Sequence, residues 1–213
     1  MTAPDATPFP AAAGLLQEAA AWRLVSLLFE RPGPEWQEQV SGLAAEVSDP
    51  LLKAAAEAAR QEATPGRYHS TFGPGGPAAP REVSYRRGVL PGAALAELRC
   101  CYGAFAYQPA LDEPPDHVAV EAGFVAYLRL KQAYALARGN EEERRICADA
   151  EQLFLRRHLS RMAAPLAVSL GASGLGYLAR AAEALRARVG PAPDEAVRPQ
   201  ADPAPAEETS GDG

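Results

Sequence analysis

Only three cysteines occur in 213 residues, two adjacent (Cys100, Cys101) and one distant (Cys147). An odd count with no CxxC pair speaks against a disulfide framework and against a zinc site, and the three read as small hydrophobes within apolar helical stretches. Clustered Lys and Arg are also missing. A body with no basic stripe does not fit nucleic acid as a main partner, because phosphate binding needs such clusters. No Lys or Arg precedes Arg23, so the charged start of a secretory signal or transit peptide is absent. No apolar run reaches the roughly 18 residues needed to span a bilayer, so no membrane insertion is expected. The expectation is a soluble, cytoplasmic chain.

What is present is Ala, Leu and charge. Hydrophobic residues make up 47% of the chain, enough for one well-buried domain over residues 13–189. Residues 1–12 are rich in Ala, Pro and Thr, and 190–213 in Pro, Ala and acids; both read as disordered tails. The formal charge of -6 is mostly in the second tail, where six acids face Arg198 alone, so the body is near neutral.

Sparse β-branched residues and abundant Ala and Leu favour helix almost throughout, and no convincing strand is visible. The expectation is an all-α, single-domain helical bundle of about eight helices. They are placed near 14–30, 35–47, 50–62, 91–107, 115–138, 141–157, 160–170 and 174–189. Thr64-Pro65-Gly66 breaks the pattern, Tyr68 to Phe72 forms a brief turn, and residues 73–90 form one long Gly/Pro-rich loop, a length that usually marks function. Residues 108–115 form an inter-helix linker, across which an exchange of helices between copies is conceivable.

The run from Glu113 to Glu121 is the most informative stretch. Pro115 fixes a helix start, Asp116 sits where the helix dipole favours a carboxylate, and His117 and Glu121 share a face beside Phe124, Val125 and Leu128. The spacing predicts a polar cluster at a buried helix mouth. Its plain reading is a cap plus a hydrogen-bonded histidine. Metal ligation would need a second motif that the chain does not supply, and acid-base catalysis would need a nucleophile or oxyanion motif that does not accompany it. Neither Gly73-Pro74-Gly75-Gly76 nor Gly171 to Gly176 ends in Gly-Lys-Ser/Thr or comes after a strand; they read as a flexible loop and a tight interhelical turn. Tyr68 and Phe72, four apart, bracket the proline loop with Tyr85 and can line a peptide groove or pack in the core. Leu153, Phe154 and Leu159 place His158 on a core stripe, and Arg86 and Arg87 read as solvated.

Taken in order, these residues resemble the TorD/DmsD/NarJ family of redox-enzyme maturation chaperones. Glu113 to Glu121 with Phe124 is similar to the family's E-x-PDH-x-x-x-E-x-x-F signature. Pro80 to Arg86 resembles its SPYESVYR segment, preceded by Y-x-x-x-F-G at Tyr68 to Gly73. Phe154 to Leu159 resembles F-x-x-x-HL, and Leu24 to Pro32 the first-helix pattern. Ala79 and Val83 replace two serines, Arg81 a tyrosine, Ala122 a leucine and Met162 a tryptophan; the Pro-Asp-His core is intact.

The resemblance implies a TorD-like bundle that is not an enzyme; no cofactor is expected, because the sequence itself offers no motif for one. Its partners would be the catalytic subunit of a molybdopterin oxidoreductase of the dimethyl sulfoxide reductase class and that subunit's twin-arginine signal peptide. The client or leader would be bound through Asp116, His117, Glu121, Phe124, Tyr68, Phe72, Gly73, Pro74, Pro80, Glu82, Tyr85 and Arg86. Asp116 and Glu121 would meet basic residues, His117 would orient them, and the tyrosines and Phe72 would hold the apolar part. A permanent assembly subunit, or a nucleotide- or metal-dependent hydrolase using His117, are the competing expectations.

Overall fold

Asp49, Thr64 and Asn140 each open a helix by accepting a hydrogen bond from a first-turn N–H group. Pro50 and Pro65 come directly after two of these caps at the first helical position, where the missing N–H is no loss. Such local signals set most boundaries in the computed structural model, which describes residues 9–86 and 88–190.

Nine α-helices occur among the described residues: α1 (Phe9–Leu28), α2 (Trp36–Glu46), α3 (Pro50–Glu62), α4 (Pro65–Phe72), α5 (Pro91–Ala104), α6 (Val118–Ala137), α7 (Glu141–Arg157), α8 (Leu159–Gly171) and α9 (Gly176–Val189). A single 3-10 turn, Glu82–Ser84, interrupts the long loop before α5.

α1 lies along α6, and α3 with α9, α6 with α7 and α8 with α9 are the other close pairings. α6 is the central element: Val118, Ala119, Val120, Ala122, Phe124, Val125 and Leu128 are all buried on it. Its apolar residues meet Leu24, Val25 and Leu28 of α1, Phe29 just after it, and Leu159, Met162 and Leu166 of α8 in one continuous core. Each such side chain removed from water stabilises the fold by about 1.5–3 kcal/mol. α5 stands off from this body. It is propped by rings: Tyr102 lies 4.9 Å from Phe124, and Phe105 6.1 Å from it. No helix among the described residues is long and apolar enough to cross a membrane.

The all-α reading stands, with several corrections of detail. Residues 65–72 form α4, not a breaker and a turn, because Thr64 and Pro65 act as cap and first helical residue. α1 starts at Phe9, so the last residues assigned to the N-terminal tail are helical. The rest of both tails, 1–8 and 191–213, lies outside the described residues. α6 starts later than the proline pair indicates. Pro115 and Asp116 form a turn there, and His117 is extended and pairs with the 80–82 segment through an isolated antiparallel bridge to Arg81. Glu82 N–H donates to the Asp116 carbonyl and Val118 N–H to the Pro80 carbonyl, both at 2.8 Å, while the Pro115 carbonyl accepts from Tyr102 Oη at 2.7 Å. His117, not Asp116, is therefore the N-cap of α6.

Candidate functional site

The bridge holds the 80–86 segment against the mouth of α6, and three buried polar contacts lock it. Asp116, fully buried, accepts from Arg81 Nε at 2.9 Å and lies 2.8 Å from Arg81 Nη2, while its other oxygen accepts from Val83 N–H at 3.3 Å. His117 Nδ1 accepts from Ala119 N–H at 3.2 Å, which puts the ring proton on Nε2. That nitrogen donates to Tyr68 Oη at 3.3 Å, and Tyr68 donates to the Phe29 carbonyl at 3.1 Å. His117 and Tyr68 thus each accept one hydrogen bond and donate one. Burial, opposed in part by the nearby Asp116 charge, pushes the His117 pKa down to about 4, so the ring is neutral near pH 7.

The third contact is a set of buried acids. Glu82 Oε2 faces His158 Nδ1 at 3.0 Å, and its other oxygen lies 3.3 Å from Arg86 Nη1. Neither oxygen of the fully buried Glu121 has a donor if all carboxyls are taken as ionised. Its neighbour is the Glu82 carboxyl, and a single proton between the two gives both a hydrogen bond. Burial first, then the charges of Glu82 and Asp116, raise the Glu121 pKa well above the usual carboxylate range against the pull of Arg86. Among the described residues no three His, Cys, Asp or Glu side chains form a group able to hold a metal ion.

This network leaves the expected site residues in unexpected places. Asp116, His117, Glu121 and Phe124 are all at least 98% buried, and Asp116 is already engaged by Arg81. Tyr68 is buried and meets the half-buried Phe72 edge to face at 5.0 Å. Tyr85 Oη donates to the Ala79 carbonyl at 2.8 Å and so pins the loop beside Pro80. Gly73 and Gly76 have no room for a side chain, because a Cβ would stand 2.4 Å from the His69 carbonyl oxygen and 2.2 Å from that of Thr71. Pro74 is exposed at the tip. Arg86, read as solvated, is instead largely buried between Glu82 and Glu97, and Arg87 lies outside the described residues.

An open surface does lie next to the network. Because the rings hold α5 away from α7, a groove of about 380 Å³ runs between them. Ala104, Phe105, Phe124, Ala150, Leu153 and Phe154 make it apolar, and Cys100 and Cys101 edge it. Glu97, Arg157 and His158 close one end; Arg86 lies 3.5 Å from Glu97 there, and Arg157 3.7 Å. His158 Nε2 is buried without a hydrogen-bond partner. The cysteines are a further correction: only Cys147 is buried, Cys101 is half-buried and Cys100 exposed. Leu153 is 43% exposed and belongs to the groove, while Phe154 and Leu159 are buried as expected. Glu97, Leu153 and Arg157, which line this groove, are not among the residues expected from the sequence. The signal available was a second apolar face, Cys101 and Ala104 on α5 and Ala150 and Leu153 on α7, at helical spacing. A separate apolar trough runs along α1 and α6 past Leu16, Leu130 and Tyr134.

The sequence model of the nitrate reductase delta subunit family matches residues 34–167, most of the folded body. The chain belongs to that family. It is thereby a member of the NarJ/TorD-like group of redox-enzyme maturation chaperones. A solved structure from Archaeoglobus fulgidus, described as a redox enzyme maturation protein, has the same fold: TM-score 0.54 at 21% identity over 80% of this chain and 93% of that one. No curated protein sequence matches the chain. In this nitrate reductase delta subunit family member, the segments that carry the resemblance are one another's partners. Phe29 meets Tyr68, Tyr68 meets His117, Asp116 meets Arg81, Glu82 meets both Glu121 and His158, and Phe124 meets Phe154 edge to face at 4.9 Å.

Proposed function

We propose that this chain is a cytoplasmic, system-specific chaperone. Its client is the cofactor-free catalytic subunit of a molybdopterin oxidoreductase of the dimethyl sulfoxide reductase class, held with its twin-arginine leader until cofactor insertion is complete. No catalysis is required of it. The observation that carries this reading is the α5–α7 groove, apolar along its length and closed at one end by Glu97 above the buried Glu82. A leader with two arginines before an apolar run needs that arrangement: carboxylates for the guanidinium groups and an apolar channel for the run itself. Family membership supports the client class.

In this reading the residues first expected to touch the leader act mainly from beneath. Phe124 forms the groove floor, Glu82 and Glu97 supply the acidic end, and Glu121 backs Glu82 from beneath. Asp116, His117, Tyr68, Phe72, Gly73, Pro74, Pro80 and Tyr85 hold the 73–86 loop in the shape that presents Arg86 and Glu82.

Tagged chain recovered from native cytoplasm, with mass spectrometry and a molybdenum assay of whatever co-purifies, tests the proposal. A leader-bearing, molybdenum-free oxidoreductase is expected, and its leader peptide should protect Cys100 from alkylation. The α1–α6 trough favours a second reading, a permanent subunit docked on the finished enzyme; equimolar recovery of the molybdenum-loaded enzyme would replace the first reading with this one. Recovery of neither would return the hydrolase reading.

A further inference from the structure

The acidic end of the groove already holds an arginine, and it comes from the chain itself. Arg86 and Arg87 are adjacent, and the residues after them, Gly88-Val89-Leu90-Pro91-Gly92-Ala93-Ala94-Leu95-Ala96, contain no charge before Glu97. Two arginines ahead of an uncharged, largely apolar run is the chemistry the groove is proposed to bind. The other adjacent arginine pairs, Arg144-Arg145 and Arg156-Arg157, lie within α7, where their backbone is committed to helix.

The fit of Arg86 is loose. Its side chain is only 11% exposed, yet Nη1 stands 3.3 Å from Glu82 and 3.5 Å from Glu97, and neither Nε nor Nη1 has a hydrogen-bond partner. A well-held guanidinium makes parallel N–H···O bonds at about 2.7–2.9 Å. Charge matches here, but geometry does not. Beyond Arg87 the chain turns outward into solvent before α5. Gly88 has φ +72°, Val89 is 38% exposed and Leu90, the N-cap of α5, is 78% exposed. Arg86 therefore occupies the site by charge alone, on a segment whose apolar residues before α5, Val89 and Leu90, are left in solvent.

We propose that Arg86 is an internal placeholder: the chain's own Ser84–Leu90 segment competes with an arginine-bearing leader for the Glu82–Glu97 end of the groove, and leader binding displaces it. The proposal rests on the leader-binding reading above. A site filled by its own segment binds its ligand with an affinity reduced by the fraction of time it is vacant. Unfilled, Glu82 and Glu97 would face solvent beside Arg157 and His158 alone, a costly arrangement that the internal arginine relieves until a better-fitting one arrives.

The test uses the full chain and a fluorescent synthetic peptide with two consecutive arginines ahead of an uncharged apolar run, with a twin-lysine peptide as comparison. Arg86→Gln should bind the arginine peptide about tenfold more tightly than the wild type, and Arg86→Lys should fall between them. A synthetic peptide of residues 84–95 should compete well on Arg86→Gln and poorly on the wild type. In the wild type, which needs no variant to fold, the arginine peptide should speed amide hydrogen exchange across residues 82–90. Equal or weaker binding by folded Arg86 variants, or unchanged or slower exchange over 82–90 on binding, would overturn the placeholder and leave the leader reading standing. No binding of the arginine peptide to any form of the chain would overturn both.

Discussion

Asp116 and Arg81 clasp each other across the mouth of α6, with Arg81 Nε 2.9 Å and Nη2 2.8 Å from one buried carboxylate oxygen. The pair ties a loop residue to the helix start from 35 positions away, and the Val83 N–H bond to the second oxygen closes the clasp. Asp116→Asn keeps the shape but loses the charge. Because Arg81 is 38% exposed and can re-solvate, the cost should be about 2 kcal/mol, below the figure for breaking a fully buried pair. Urea unfolding gives the loss, and amide exchange should rise over residues 80–86 while helicity is unchanged.

The fold was largely legible because its helices carry their own signals. The Ala/Leu patterning marked eight of the nine, and α4 escaped because Thr64-Pro65-Gly66 reads as a break when it is a cap and a first turn. Less of the site was legible. The spacing of His117 and Glu121 pointed to a buried polar cluster, which is there. It could not show that residues 116–117 pair with residues 80–82, since that depends on a loop folding back across 35 positions. Arg86 looked solvated because its partners, Glu82 and Glu97, are brought together only by the packing of the loop against α5.

His117 should make the protein acid-sensitive. Its pKa is depressed in the fold to about 4 from 6.5, so the unfolded chain takes up a proton first as pH falls. The stabilisation is complete above about pH 6.5 and is lost as pH drops toward 4, to a total of about 3 kcal/mol. His117→Asn retains a capping oxygen but does not titrate. Its denaturation midpoint, measured across this range, should fall with acid by about one proton less than that of the wild type.

Glu121 acts in the opposite sense. Its folded pKa is raised, so its contribution is present below the ordinary carboxyl value of 4.5 and is lost as pH rises through the folded value. Glu121→Gln supplies an N–H donor to Glu82 without a proton to lose. The variant should be more stable than the wild type at mildly alkaline pH, with the gain shrinking toward acid. A gain independent of pH would show that Glu121 and Glu82 do not share a proton.

Tyr68→Phe removes the hydroxyl that accepts from His117 and donates to the Phe29 carbonyl, leaving two buried groups unpaired. The expected loss is about 1–3 kcal/mol by urea unfolding. With its Nε2 partner gone, His117 is tied to the helix mouth by its cap alone, and Tyr68→Phe combined with His117→Asn should cost less than the sum of the two changes.

Leu153 separates binding from folding. At 43% exposure it lines the α5–α7 groove without filling the core, so Leu153→Glu should change stability by no more than about 1 kcal/mol. A carboxylate there would have to lose water against the apolar part of any bound leader, and twin-arginine peptide affinity should drop at least about tenfold. Val168, 77% exposed on α8 and outside the groove lining, is the matched control. Val168→Glu adds the same charge and should leave affinity unchanged. Equal losses at both positions would mean that net charge, and not the groove, governs the interaction; a loss at Val168 alone would move the leader to the α8 face.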